Sequence, residues 1–327
     1  MHKVLIVGPF HEQGMRLLEA REDVAFEVVD GASSDEVAAR IAEVEGITVR
    51  TSRLPGALLE KALRLKVVSR HGVGYDNVDL EVLNRRGIPL TITADANAVS
   101  VAEHTLFLML TLAKQGLAQD RATRESRWPE RNRLDRVDLH GRRMLIIGFG
   151  RIGREVAVRC EAFGMRVSIC DPYVGHEAIG RSGFHPVDDF RAVLPETDLL
   201  TVHVPLDDQT WHLIGAPELA ALPPHALVIN VARGGIVNES ALINALRNGT
   251  IRGAGLDVFE QEPPARDNPL FGLDNVVLSP HGAGLTEQSA VRMAVSTAKN
   301  LLAGLDGTLD PTMVVNRQVL KDPATRS

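Results

Sequence analysis

Met144-Leu145-Ile146-Ile147-Gly148-Phe149-Gly150-Arg151-Ile152-Gly153 decides how this chain folds. Its first four residues are an apolar run too short for a helix, and they suit a strand buried on both faces of a parallel sheet. The run ends in glycines spaced G-x-G-x-x-G, and helix-like sequence continues through Ala162. Strand, glycine turn and helix in that order are the setting in which this spacing marks a dinucleotide site. Gly148 permits the tight turn, Gly150 leaves no side chain where a pyrophosphate comes close, and Gly153 lets helix and strand approach. The helix N-terminus adds free N–H groups and a partial positive charge for the phosphates. Asp171 stands about 20 residues on, where a carboxylate can bond both ribose hydroxyls and repel a 2′-phosphate. This favours NAD over NADP.

Outward from that stretch, short apolar runs alternate with helix-like sequence in both directions. Upstream lie Val4–Val7, Ala25–Val29, Ile47–Val49 and Lys66–Ser69. Downstream lie Val167–Cys170, Leu199–Val204, Leu227–Val231, Ala254–Phe259 and Val276–Leu278, which with Met144–Ile147 make six strands of one open sheet. Such alternation predicts an α/β fold of parallel sheets with crossover helices. Ser100-Val101-Ala102-Glu103 fits a capping box, so a long apolar helix is expected to start at Ser100 and run through Leu112. From Gly116 to Arg143 the sequence turns polar and basic, with Trp128-Pro129 breaking any helix, and reads as a segment connecting two domains. A last helical pattern, from about Thr286 to Leu305, is succeeded only by a short polar tail and is expected to pack back on the first domain.

Bulk properties agree with a two-domain enzyme. A chain of 327 residues exceeds one ordinary core, and 44% hydrophobic with 24% charged residues excludes disordered, collagen-like and coiled-coil chains. The formal charge of −6 argues against nucleic acid as a partner. Cys160 and Cys170 show no CxxC spacing, so neither a disulfide framework nor a metal site is expected. No run is long and apolar enough for a signal sequence or a membrane span, so a soluble cytoplasmic protein is expected.

Three later strands run into Asn230-Val231-Ala232-Arg233-Gly234-Gly235, Gly255-Leu256-Asp257-Val258-Phe259 with Glu262-Pro263 after it, and Ser279-Pro280-His281-Gly282-Ala283-Gly284. In an open α/β sheet the carboxyl ends of strands face the ligand. In this order behind the glycine fingerprint, the motifs resemble the D-isomer-specific 2-hydroxyacid dehydrogenase family over nearly the whole chain. The resemblance implies two doubly wound parallel-sheet domains: a Rossmann NAD-binding domain at 100–287 inserted in a flavodoxin-like substrate domain of 1–99 plus 288–327. It also implies a homodimer, with hydride passing between NAD and a small 2-hydroxy or 2-oxo acid. Carried over residue by residue, it makes Arg233 the carboxylate clamp, His281 the acid/base and Glu262 the partner of that histidine. Chemistry agrees, because a guanidinium fork holds a carboxylate bidentately and an imidazole suits proton transfer near neutral pH. A carboxylate on the other ring nitrogen fixes the tautomer and stabilises imidazolium. The same resemblance places Arg151 and Ile152 at the pyrophosphate, Val204 and Pro205 along the cofactor, and Asp257 with the Val231 carbonyl at the nicotinamide amide; Ala232, His281 and Ala283 join the cofactor set. Of the remaining histidines, His104, His203, His212 and His225 read as structural or surface residues, His203 being the nearest to a cofactor position.

Within the family, the segments around Arg50 and from Ser69 to Asp79 are most similar to phosphoglycerate dehydrogenases. Gly72-Val73-Gly74 is expected to offer backbone N–H groups to the substrate carboxylate, and Arg50 with Arg70 to pair with a second anionic group. His71 and Val73 depart from that pattern, which more often has a small residue and threonine. With the sequence running to Ser327, the regulatory domain some of those enzymes append is not expected. The substrates in play are 3-phosphoglycerate, glycerate, lactate, sulfolactate, or the oxo acids glyoxylate and hydroxypyruvate. Two rivals share the motifs: co-repressor scaffolds that respond to NAD, whose long disordered tail is missing here, and formate dehydrogenases, which carry glutamine at the place of Glu262.

Overall fold

A computed structural model describes residues 1–29 and 34–320. The chain divides into two compact units, Met1–Asn97 together with the stretch from Leu285 on, and Ala98–Gly284. The sequence-based bounds of 99/100 and 287/288 lie within three residues of these.

The first unit is built on a five-stranded parallel sheet: β1 (His2–Val7), β2 (Val24–Val29), β3 (Gly46–Val49), β4 (Val67–Arg70) and β5 (Leu90–Thr91). Their order is β2-β1-β3-β4-β5, the flavodoxin-like winding. Alternate residues of β1 face opposite layers. Leu5 and Val7 join one buried cluster, whereas Val4 and Ile6 join another with Leu301 and Leu305 of the helix Glu287–Asp306. That helix is capped by Thr286, whose hydroxyl accepts from the Ser289 N–H, so the expected return to the first unit is observed. Beyond its C-terminus the chain is more than a tail. Val315 donates its N–H to the Leu90 carbonyl, and the buried Asn316 accepts from the Leu90 N–H, so this segment seals the edge of β5. The polar residues from Lys321 on lie outside the described residues.

The second unit carries β6 (Arg143–Ile147), β7 (Arg166–Cys170), β8 (His185–Pro186), β9 (Leu199–Val202), β10 (Leu227–Asn230), β11 (Gly253–Leu256) and β12 (Val276–Leu278). Seven strands stand where six were expected; β8, like β5, is two residues long and too short for any periodicity to reveal. The order β8-β7-β6-β9-β10-β11-β12 is the Rossmann winding with one strand added beyond the sixth. Met144 and Ile146 pack into one layer, Leu145 and Ile147 into the other, and burying each of these contributes about 2 kcal/mol.

Two expectations are corrected here. The long apolar helix runs Ala98–Ala113, so Ser100 and Glu103 lie inside it and do not cap it. Ser100 is buried, on a helix whose packing against β10, β11 and β12 outweighs the local capping signal. Leu108 approaches so closely that a Cβ on Gly255 would lie 2.9 Å from its own. The basic stretch from 116 to 143 is not a connection between units; it lies within the second unit and contains a helix, Gly116–Arg124, and a 3-10 turn, Trp128–Asn132. Part of its charge is met within the stretch, in pairs such as Arg124–Asp120 and Arg127–Glu125, and part by Asp198 and Glu196 ahead of β9, which pair with Arg142 and Arg143. Among the described residues no helix is long and apolar enough to cross a membrane.

Candidate active site

The winding of the second sheet reverses between β6 and β9, and the glycine fingerprint sits at that point. Gly148 has φ +100°, and a Cβ there would lie 2.5 Å from the His203 carbonyl oxygen at the end of β9. A Cβ on Gly153 would fall on the Gly148 carbonyl oxygen. These two glycines are therefore required by the protein's own backbone. Gly150 is different: its Cβ would meet no protein atom within 4 Å, and its φ of −73° needs no glycine. The residue leaves space that the fold does not use. It also precedes the helix Arg151–Ala162, whose N-cap makes no side-chain hydrogen bond, so the positive end of the helix faces this space without a capping side chain. Asp171 directly follows β7 and accepts from the N–H groups of Phe149 (2.7 Å) and Tyr173 (2.8 Å), which binds the glycine loop to the β7 end.

His203 accompanies this loop. Its Nε2 lies 3.1 Å from the Thr201 hydroxyl, while Nδ1 is buried with no hydrogen-bond partner among the described residues. Burial pushes the imidazole down to about 3, so the ring is neutral. Val204 is half-buried and Pro205 exposed. An empty place for a side chain, uncapped N–H groups and an orphaned polar nitrogen together fit a phosphate-linked nucleotide.

At the end of β10 the buried Asn230 shapes the next turn, accepting from the Ala232 N–H and donating to the Arg233 carbonyl. Val231 is buried, and the Arg233 guanidinium donates to the Ala232 carbonyl at 2.7 Å. A Cβ on Gly234 would fall on the Phe259 carbonyl oxygen, so this glycine lets the Arg233 turn lie against the chain leading to Glu262. The carboxylate of Glu262 accepts from the Phe259 N–H at 3.0 Å and from His281 Nδ1 at 2.6 Å. Burial opposes its charge, yet the bond from His281, the Phe259 N–H and the nearby Arg233 hold it below the usual carboxylate range. With Nδ1 so engaged, Nε2 is the nitrogen left for proton transfer.

His281 adopts φ +52°, a left-handed conformation costing a non-glycine residue roughly 1 kcal/mol, and the loop holds it there. Its N–H donates to the Asp257 carbonyl (2.8 Å), and the Asp257 carboxylate takes the N–H groups of Gly282 (2.9 Å) and Ala283 (2.8 Å). Asp257 is wholly buried, with both oxygens bonded inside the protein. The trio expected from sequence thus meets at one sheet edge, with Asn230 and Ser279 as additional positioning groups. Both stand inside the quoted strand-end segments, but sequence does not show what their side chains bond.

In the first unit Arg50 comes directly after β3 and Arg70 ends β4. The Arg70 guanidinium folds back to donate to the His71 carbonyl, in room left by Gly72, where a Cβ would lie 2.6 Å from Nη1. Gly72 is buried, while Val73 and Gly74 are half-buried. His71 is buried edge-on against Phe10; burial first, then the charges of Arg50 and Arg70, push its imidazole down to about 4.

Comparison with known proteins places this arrangement. Residues 106–283 match the profile described as "D-isomer specific 2-hydroxyacid dehydrogenase, NAD binding domain". A D-3-phosphoglycerate dehydrogenase of Methanocaldococcus jannaschii is 38% identical over 96% of this chain, which spans 59% of that relative. The chain thus covers little more than half the length of the phosphoglycerate dehydrogenases it matches. A glyoxylate reductase of Thermococcus onnurineus is 36% identical, with 97% of each chain covered. The solved NADPH-dependent glyoxylate/hydroxypyruvate reductase of Sinorhizobium meliloti, in complex with NADP and malonate, superposes with a TM-score of 0.87 at 31% identity over 98% of both chains. The chain belongs to the D-isomer specific 2-hydroxyacid dehydrogenase family.

Proposed function

We propose that this protein reduces a short 2-oxo acid to the D-2-hydroxy acid with NADH, and runs the reverse oxidation with NAD. The observation that carries the reading is the 2.6 Å bond between Glu262 and His281 Nδ1, close enough to Arg233 for its charge to stabilise the carboxylate. In reduction, protonated His281 delivers a proton from Nε2 to the oxygen of the carbonyl as it becomes a hydroxyl. In oxidation the neutral ring takes that proton back, and Glu262 stabilises the resulting imidazolium. Arg233 holds the substrate carboxylate and polarises the neighbouring carbonyl. Bound at the glycine loop, the nicotinamide cofactor supplies or accepts the hydride. In the same reading Gly148, Gly150, Arg151, Ile152 and Gly153 take the pyrophosphate, Asp171 the ribose, and His203, Val204, Pro205, Val231, Ala232, Asp257 and Ala283 flank the rest of the cofactor. NAD is favoured over NADP by the Asp171 carboxylate. Gly72, Val73 and Gly74 offer N–H groups to the acid.

The glyoxylate reductases that match end to end support glyoxylate or hydroxypyruvate as substrate. A second reading, 3-phosphohydroxypyruvate, is favoured by the two guanidiniums at the ends of β3 and β4 and by the 38% identical relative. A cytoplasmic homodimer belongs to the proposal, supported by the exposed apolar residues Phe107, Leu117, Trp128 and Leu134 of the second unit; sizing by light scattering tests it. The reaction is tested by monitoring loss of NADH and of NADPH with glyoxylate, hydroxypyruvate, pyruvate, 3-phosphohydroxypyruvate and sulfopyruvate. Highest kcat/KM with glyoxylate or hydroxypyruvate and NADH is expected. Turnover of none of these acids would overturn the reading, and preference for the phosphorylated acid would move it to the second one.

A further inference from the structure

We infer that His104 is a positioning residue for the reaction: a directed hydrogen-bond chain from its ring, through Ser279 to Asp257, sets the loop that presents His281. The inference rests on the proposed role of His281. His104 lies within the helix Ala98–Ala113, with Nε2 2.8 Å from the Ser279 hydroxyl oxygen. That hydroxyl lies 2.6 Å from Asp257 Oδ1. A carboxylate only accepts, so Ser279 spends its single proton on Asp257 and must receive one from His104 Nε2. This inventory of donors fixes both the direction of the chain and the tautomer of His104.

Asp257 is where the chain acts. Ser279 O–H, Gly282 N–H and Ala283 N–H converge on its carboxylate, and the His281 N–H on its carbonyl. Four donors from residues 279–283 thus meet one buried residue, and together they hold His281 in its left-handed backbone conformation. Without the donor on His104, the Ser279 hydroxyl is free to turn its proton elsewhere, and the buried carboxylate loses its shortest bond. The loop then relaxes at the residue whose Nδ1 must stay against Glu262. Misplacement of a catalytic group by about 1 Å costs on the order of 100-fold in rate.

The test compares His104→Phe, which keeps a ring and removes the donor, with His104→Gln, whose amide N–H can still reach Ser279, and with Ser279→Ala. Each is assayed for kcat and KM with glyoxylate and for NADH affinity by fluorescence. The downfield imidazole N–H resonance of His281, assigned by its loss in His281→Ala, reads the bond to Glu262 directly. We expect kcat to fall about tenfold or more in His104→Phe and Ser279→Ala, NADH affinity to stay within about twofold, and the resonance to shift or broaden. In His104→Gln, kcat within about threefold of wild type and the original resonance are expected. Unchanged kcat and resonance in His104→Phe would overturn the inference, as would a His104→Gln variant no better than His104→Phe. Because the resonance needs no turnover, a wild-type protein inert to every acid would end the proposed reaction while this test still decides the role of His104.

Discussion

The two sheets place their candidate sites by the same rule and equip them in opposite ways. Each winding reverses once, between β6 and β9 in the second sheet and between β1 and β3 in the first. At the second reversal the groups on offer are largely those of the backbone: Gly148 and Gly153 bring the chain close, Gly150 leaves room, and the helix that follows has no side-chain cap, with the buried Nδ1 of His203 beside them. At the first reversal Gly8, with φ +93°, faces Arg50 across 3.9 Å from its would-be Cβ, and the neighbouring strand ends in Arg70, with His71 directly after it. Charge there is carried by side chains. Backbone dipoles suit a pyrophosphate whose shape never varies, whereas side chains can be exchanged to suit different acids.

The division can be broken by mutation. Arg233→Ala removes the side-chain clamp proposed for the second unit and should lower kcat/KM by roughly 30- to 5,000-fold, since truncating one partner of a desolvated charge pair costs about 2–5 kcal/mol. NADH affinity should stay near wild type; a variant with normal turnover would remove Arg233 from the mechanism. Gly153→Ala and Gly150→Ala should then separate. The first drives a Cβ into the Gly148 carbonyl and should cost about 3 kcal/mol or more of stability, read by denaturant melting. The second meets no protein atom, so stability should change by less than about 0.5 kcal/mol while NADH affinity falls. Equal stability losses would refute the idea that Gly150 is kept for the ligand.

His71 supplies the next effect, in the first sheet. It is held neutral in the folded state, with its imidazole lowered from 6.5 to about 4, whereas the unfolded chain takes up a proton near 6.5. Wild type should therefore lose up to about 3 kcal/mol of stability from this group as pH falls from 6.5 toward 4, with no further loss below. His71→Phe should flatten that slope in pH-dependent melting; an unchanged slope would contradict the burial argument. The smallest effect is expected at Asp171. Asp171→Ala should raise the use of NADPH relative to NADH about tenfold, together with a modest loss of stability from the freed Phe149 and Tyr173 N–H groups. Selectivity that does not move would take Asp171 out of ribose recognition.

Much of this arrangement is legible in the chain, for a definable reason. Met144–Ile147 and the glycines after it combine a short-range apolar run with backbone constraints that act within a few residues, and both are visible in one dimension. β5 and β8 escape because two residues show no period, and they exist only by pairing with β4 and β7. The supposed cap at Ser100 fails because tertiary packing along Ala98–Ala113 overrides a local signal. Asn230 and Ser279 stand inside recognised motifs, but their work lies in bonds to residues whose distance in space the order of residues does not state.

Sequence therefore supplies the longer strands and helices, the winding class through the family resemblance, and which residue types could clamp, protonate and bind. Only the folded chain decides that His281 sits left-handed over a buried Asp257, that Arg70 turns back on its own backbone, and that His104 reaches Ser279 across 175 positions. Propensity and spacing are local quantities. Hydrogen bonds to a buried carboxylate are chosen by whatever donors the completed core leaves within about 3 Å.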